Sequence, residues 1–190
     1  RRGEPRHRRH DARLDLALLL ALVPPRGHLA DVLTPPPPRR RNTFAGELRR
    51  IAQAEPHAVR HDLRLLQEQA GHGIPALSGG ERDPKALLHK ATADLDGYWR
   101  CAVEPHWPRL RALAEADIAA RAETMAASGP HGMLAGLHPR IGLAGNDLVV
   151  RSSCGDGEVA GEGGVVLVPC AFAWPEVLLY AVPGHPCTVT

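Results

Sequence analysis

The sequence has few cysteines, and none of them forms a paired motif. Its four thiols are Cys101, Cys154, Cys170 and Cys187, which stand far apart in a chain of 190 residues. Secreted disulfide scaffolds space their cysteines densely, and zinc ribbons use Cys-x-x-Cys pairs. We therefore expect reduced thiols in a cytoplasmic protein.

Long apolar runs are also missing. The longest, from Leu14 to Val23, includes Asp15 and falls well short of the roughly 20 residues that cross a bilayer. Basic residues precede this run, but Pro24 and Pro25 follow it in place of the small residues of a cleavage site. These features predict neither a membrane span nor a signal peptide.

The common catalytic signatures are absent from the chain. It contains no Gly-x-x-x-x-Gly-Lys-Ser/Thr phosphate loop, no Gly-x-Ser-x-Gly elbow and no His-Glu-x-x-His helix. The glycines between residues 155 and 164 are better interpreted as hairpin turns. We therefore predict a protein that is not an enzyme and that needs no cofactor.

Two weaker patterns suggest binding of ions. His57 and His61 lie four residues apart on a predicted helix and would share a face, but two ligands do not make a metal site. The arginines at 39–41 could neutralise phosphates, although no aromatic side chain is interleaved with them. We favour solvated surfaces for both and predict no metal, because 11 histidines make such a pair common by chance and a net charge of +2 does not indicate a nucleic-acid-binding surface.

The order of patterns predicts an α+β fold. A mainly helical N-terminal two-thirds should precede a small antiparallel β meander, because apolar runs at 147–151, 164–170 and 177–182 are separated by turn residues. We expect a basic, disordered tail at 1–13, a helical sensing and dimerisation region at 14–140 with a Pro/Arg-rich loop at 34–43, and a short β segment at 141–190. Asp83 with Pro84 predicts one helix start, and Gly71 predicts a helix end.

The clearest element is a helix from Pro105 to about Ala127, ended by Ser128-Gly129-Pro130. An apolar stripe recurs along it at three- and four-residue spacing. The stripe consists of Trp107, Leu110, Ala114, Ile118, Ala122 and Met125. Two interpretations remain open for this stripe. It could pair two copies of the chain through Leu110, Ala114, Ile118 and Met125, or it could pack inside its own domain.

A ligand pocket is a second hypothesis, because apolar pockets favour aromatic walls with a few polar groups. The candidate lining residues are Trp99, His106, Trp107, His138 and Trp174. Core packing is the competing interpretation for the tryptophans.

Four segments, in order, carry a resemblance to a known family. They are residues 18–35 (LLLALVPPRGHLADVLTP), 105–117 (PHWPRLR and the helix that follows), 133–139 (MLAGLHP), and 163–169 (GGVVLVP) followed by 172–174 (FAW). This set resembles the uncharacterised domain that lies upstream of the DNA-binding domain in ArsR-like winged-helix regulators of high-GC bacteria. The region from Thr34 to Asp83 departs from the pattern.

The resemblance implies a homodimeric, sequence-specific transcriptional regulator that responds to an unidentified small-molecule effector. It also implies that the chain begins after an upstream β segment and reaches residue 190 just before the winged helix-turn-helix. No DNA-binding residue is therefore assigned, and DNA would be bound through the absent motif. The alternatives are a small-molecule-binding protein or small enzyme with a pocket near His106, Trp107 and His138, and a truncated remnant with unpaired strand edges.

Overall fold

The computed structural model describes residues 15–36, 43–145, 147–151, 164–173, 175, 177–180 and 186–190. Helices precede strands, so the predicted α+β class is confirmed. The predicted basic tail, residues 37–42 of the Pro/Arg-rich loop, and Trp174 lie outside the described residues. The described chain divides into two compact units between Cys101 and Ala102, with Pro36 assigned to the second unit.

The first unit is helical. Its helices are α1 (Ala17–Leu22), α2 (Phe44–Ala52), α3 (Pro56–Ala70) and α4 (Pro84–Tyr98), with short 3-10 turns at Asp31–Leu33 and Pro75–Leu77. The predicted signals for helix start and end are confirmed. Asp83 Oδ1 accepts a hydrogen bond from the backbone N–H of Ala86 at 2.9 Å, and Gly71 ends α3 in the left-handed conformation with φ of 70°.

These helices bury one apolar core. Its buried members among the described residues are Leu18, Leu22, Ala30, Ile51, Val59, Leu63, Leu66, Leu77, Leu87, Leu88 and Ala91. Gly80 lies against this core, where an added Cβ would come within 2.7 Å of Leu87 Cδ1 and 3.0 Å of Leu63 Cδ1. The short loop that carries Gly80 therefore packs closely because the residue has no side chain.

The second unit contains one long helix, α5 (Trp107–Ala135), which follows a 3-10 turn at Glu104–His106. Gly129 interrupts the helical geometry with φ of 68° and ψ of −177°, and Pro130 follows it. The long helical part therefore ends at Ser128, and a short helical turn carries the chain to Ala135. This break is where the sequence predicted the helix to end.

In the described part of the chain, five short strands follow in two sheets. β1 (Ile141–Ala144) and β2 (Asp147–Val150) form an antiparallel hairpin, whereas β3 (Val165–Leu167), β4 (Leu179–Tyr180) and β5 (Cys187–Val189) form a sheet in the order β3-β5-β4. The second sheet is mixed and not a simple meander, because β3 runs parallel to β5 and β4 runs antiparallel to it. All three residues of β5 are buried, and this strand holds the sheet together.

The predicted boundary at residue 140 marks the change from helix to strand. The compact units divide earlier, because α5 packs with β1 and therefore belongs with the strands. Among the described residues, no helix combines the length and the apolar character needed to cross a membrane.

Candidate functional site

An open groove with a volume of about 740 Å³ runs along α5 in the second unit. One wall is the apolar stripe of α5, and all six stripe residues predicted from the sequence line it. The opposite wall is formed by the last residue of β3 and the segment after it (residues 167–173), together with Val177 and the end of β5. The volume lies within the range of pockets that bind small molecules, about 300–1,000 Å³.

The walls of this groove are apolar, yet they are only partly covered. Of the 29 residues of α5, only Met133 is buried. Leu113 and Ile118 each keep 55% of their surface exposed, and Phe172 keeps 74%. Several large apolar side chains that remain this exposed along one groove are typical of a binding surface.

A few polar groups interrupt the apolar walls. Arg121 Nε donates to Asp117 Oδ2 at 2.8 Å, so one ion pair lies on the groove wall. His138 Nδ1 accepts a hydrogen bond from the backbone N–H of Arg140 at 3.1 Å, which fixes the orientation of the imidazole ring. Apolar walls with few polar groups suit a ligand that is mostly apolar and carries one polar or charged group.

The two cysteines that the structure describes in the second unit differ in accessibility. Cys170 is exposed and lines the groove. Cys187 is buried in β5, and this burial raises the pKa of its thiol. A ligand in the groove would therefore meet Cys170.

The structure brings only some of the predicted ligand-binding residues together. Trp107 and His138 both line the groove, whereas His106 is exposed on the preceding 3-10 turn and does not line it. Trp99 lies in the first unit and not at the groove, and its half-buried ring stacks on Phe44 with centroids 4.4 Å apart. Trp174 is outside the described residues.

The predicted dimer residues Leu110, Ala114, Ile118 and Met125 all line this same groove. The ligand hypothesis and the dimer hypothesis therefore concern one surface, which the sequence did not indicate. The stripe is neither buried in a core nor a helix face without neighbours, because it forms one wall of the groove.

Sequence reasoning missed a cluster of three potential metal ligands in the first unit. His28, Asp31 and Asp62 each offer a ligand atom, and these atoms lie within 4.8 Å of one another. His28 Nε2 is 3.4 Å from Asp62 Oδ1, and Asp62 Oδ2 accepts a hydrogen bond from the backbone N–H of Val32 at 2.9 Å. Partial burial of the Asp31 carboxyl raises its pKa, and the neighbouring charge of Asp62 raises it further.

Two long-range interactions position this cluster. The Gln69 side chain, on α3, accepts a hydrogen bond from the backbone N–H of His28 and donates one to the carbonyl of Arg26 at 2.9 Å. Val32 packs against the helical core beside Asp31.

The sequence singled out His57 and His61, but neither belongs to the cluster. The sequence analysis did not single out Asp62, which is next to His61, because its partners lie about thirty residues away in the sequence.

Comparisons of the chain with protein-family models, with curated proteins and with solved structures found no match. The resemblance to ArsR-like regulators therefore stays a prediction based on the four ordered segments.

Proposed function

We propose that this chain is the non-catalytic effector-sensing region of a cytoplasmic, bacterial ArsR-type transcriptional regulator, and that the groove along α5 receives the effector. The groove itself is the observation that carries the proposal. Its volume is about 740 Å³, its walls are apolar, and two of the predicted ligand-binding residues, Trp107 and His138, lie in it. The link to transcription rests on the family resemblance of the sequence.

The expected effector is an apolar molecule, built around one or two rings, with a single anionic or polar group. Trp107 and Phe172 supply aromatic surface for such rings, and the Arg121–Asp117 ion pair supplies polar groups on the groove wall. Homodimer formation through α5 stays a prediction. A second copy of the chain bound there would cover the same stripe as the effector.

Anilinonaphthalene sulfonate tests the groove, because this dye is apolar, aromatic and singly anionic. We expect the dye to fluoresce on binding the wild-type chain, and the Ala122→Asp variant to bind it at least about tenfold more weakly, since a carboxylate would face the apolar wall. Ala116→Asp is the matched control. Both alanines are exposed on α5, but only Ala122 lines the groove.

Equal dye binding by the two variants would overturn the assignment of the groove. Sedimentation of the same samples addresses the competing occupant. If the chain is a dimer that excludes the dye and Ile118→Asp yields a folded monomer that binds it, the stripe is a subunit interface and not the effector site.

A gel shift of the full-length gene product on its own promoter tests the regulatory part separately. The proposal requires a specific shift that an added effector alters. A full-length protein that binds its ligand but shifts no DNA at any salt concentration would instead favour the alternative of a small-molecule-binding protein.

A further inference from the structure

We propose that His28, Asp31 and Asp62 form a binding site for a divalent transition-metal ion of the zinc class in the first unit. The site is independent of the groove, since all three residues belong to the helical unit. The residue types fit such an ion, because zinc takes imidazole nitrogen and carboxylate oxygen ligands.

The geometry of His28 and Asp62 carries the inference. The Asp62 side chain is only 4% exposed, and its Oδ1 lies 3.4 Å from His28 Nε2. In a tetrahedral zinc site, metal–ligand bonds of about 2.0–2.15 Å place neighbouring ligand atoms about 3.3–3.5 Å apart. The observed separation of 3.4 Å therefore fits two ligands of one ion.

Unsatisfied hydrogen bonding supports the same conclusion. Among the described residues, no group makes a hydrogen bond of acceptable geometry with His28 Nε2, although this nitrogen is fully buried. Its 3.4 Å contact with Asp62 Oδ1 is an ion pair only when the imidazole is protonated, and a buried polar atom that lacks a hydrogen bond is costly. An ion between Nε2 and Oδ1 would satisfy both atoms.

The surroundings hold the two inner ligands in place. Asp62 Oδ2 is already occupied by the N–H of Val32, which leaves Oδ1 for the ion. Gln69 fixes the backbone of His28 from α3, as outer partners commonly do for metal ligands. Asp31 is more exposed, and its carboxylate can complete a three-ligand set while solvent fills a fourth position.

Zinc titration of the metal-stripped full chain by calorimetry tests the proposal. We expect one equivalent of Zn²⁺ to bind more tightly than any remaining sites. Asp31→Asn and His28→Ala should each weaken this binding by at least about tenfold, because each removes a direct ligand and loss of an outer partner alone costs about 10–100-fold. Asp31→Asn carries most weight, because its exposed side chain can be changed without disturbing the core, whereas Asp62→Asn alters a buried group.

His57→Ala is the matched control, because it removes an exposed histidine of α3 that lies outside the cluster. The chain has 11 histidines, so weak surface binding has to be separated from the site. Unchanged zinc affinity in Asp31→Asn and His28→Ala, or equal weakening in His57→Ala, would overturn the proposal.

Cobalt(II) provides a second readout. The site has no thiolate ligand, so bound Co²⁺ should show ligand-field bands without a strong sulfur-to-metal charge-transfer band. Such a charge-transfer band in the wild-type chain would assign the ion to cysteines and would contradict the proposed ligand set.

Discussion

The two units of this protein bury their apolar side chains to different extents. The helical unit encloses eleven buried residues in one cluster, whereas the second unit has a buried cluster of three, Ile141, Cys187 and Val189, among the residues described. The longest helix nevertheless belongs to the second unit. Its apolar stripe lines a groove and remains largely exposed.

This difference shows how helix stability depends on partners. In the first unit, α1, α3 and α4 pack against one another, and each contributes buried side chains to one core. In α5 the stripe meets a few loop residues and short strands, and the exposed faces carry ion pairs such as Arg111 with Glu115 at 2.8 Å. Exposed i,i+4 pairs contribute only about 0.3–0.5 kcal/mol, so packing must supply most of the stability of the fold.

The strongest test of the comparison is a leucine truncation in each unit. Leu63→Ala should lower the free energy of unfolding by about 2–5 kcal/mol, because the side chain is fully buried and its loss leaves a cavity. Leu113→Ala, on α5, should change it by no more than about 0.5 kcal/mol. Urea unfolding followed by circular dichroism measures both. Similar losses would mean that α5 is packed as tightly as the core.

A smaller effect is expected at the glycine that faces the helical core. Gly80→Ala should cost about 1–3 kcal/mol, because the new methyl group would contact Leu87 and Leu63 and force the packing to shift. Gly73→Ala is the control, since nothing lies within 4 Å of its added Cβ. That control should be neutral or stabilising by up to about 1 kcal/mol. A loss in both variants would point to backbone effects and not to packing.

The helix starts give the smallest effect. Asp83→Ala removes the side-chain cap of α4 and should cost about 1 kcal/mol. His106 occupies the equivalent position before α5 but makes no side-chain cap, so His106→Ala should change stability by no more than about 0.5 kcal/mol. Thermal unfolding of the two variants compares them directly. A larger loss for His106→Ala would reverse the proposed ranking of the two helix starts.

Local signals made much of the fold predictable. Asp83, Gly71 and the Gly129-Pro130 break mark helix ends by backbone chemistry that acts within a few residues, and the structure confirms them. β1 and β5 were missed because they are short and lack alternation, so their pairing partners decide them.

The sequence predicted which residues share a surface where they lie on one helix, but not where they come from separate elements. The three- and four-residue spacing of apolar side chains predicted the stripe on α5. The grouping of His28 with Asp62 depends on how the segment at 26–33 is hydrogen-bonded to α3. Trp99 was assigned to a pocket, although its ring stacks on Phe44. Non-local contacts of this kind leave no periodic trace in a sequence.

The position of β5 has a consequence for the order in which the chain assembles during synthesis. β3 and β4 do not pair with each other, because Cys187–Val189 lies between them. Residues 187–189 must therefore leave the ribosome before that sheet can close. The helical unit, which uses residues only up to Cys101, can fold before the central strand of the sheet has been synthesised.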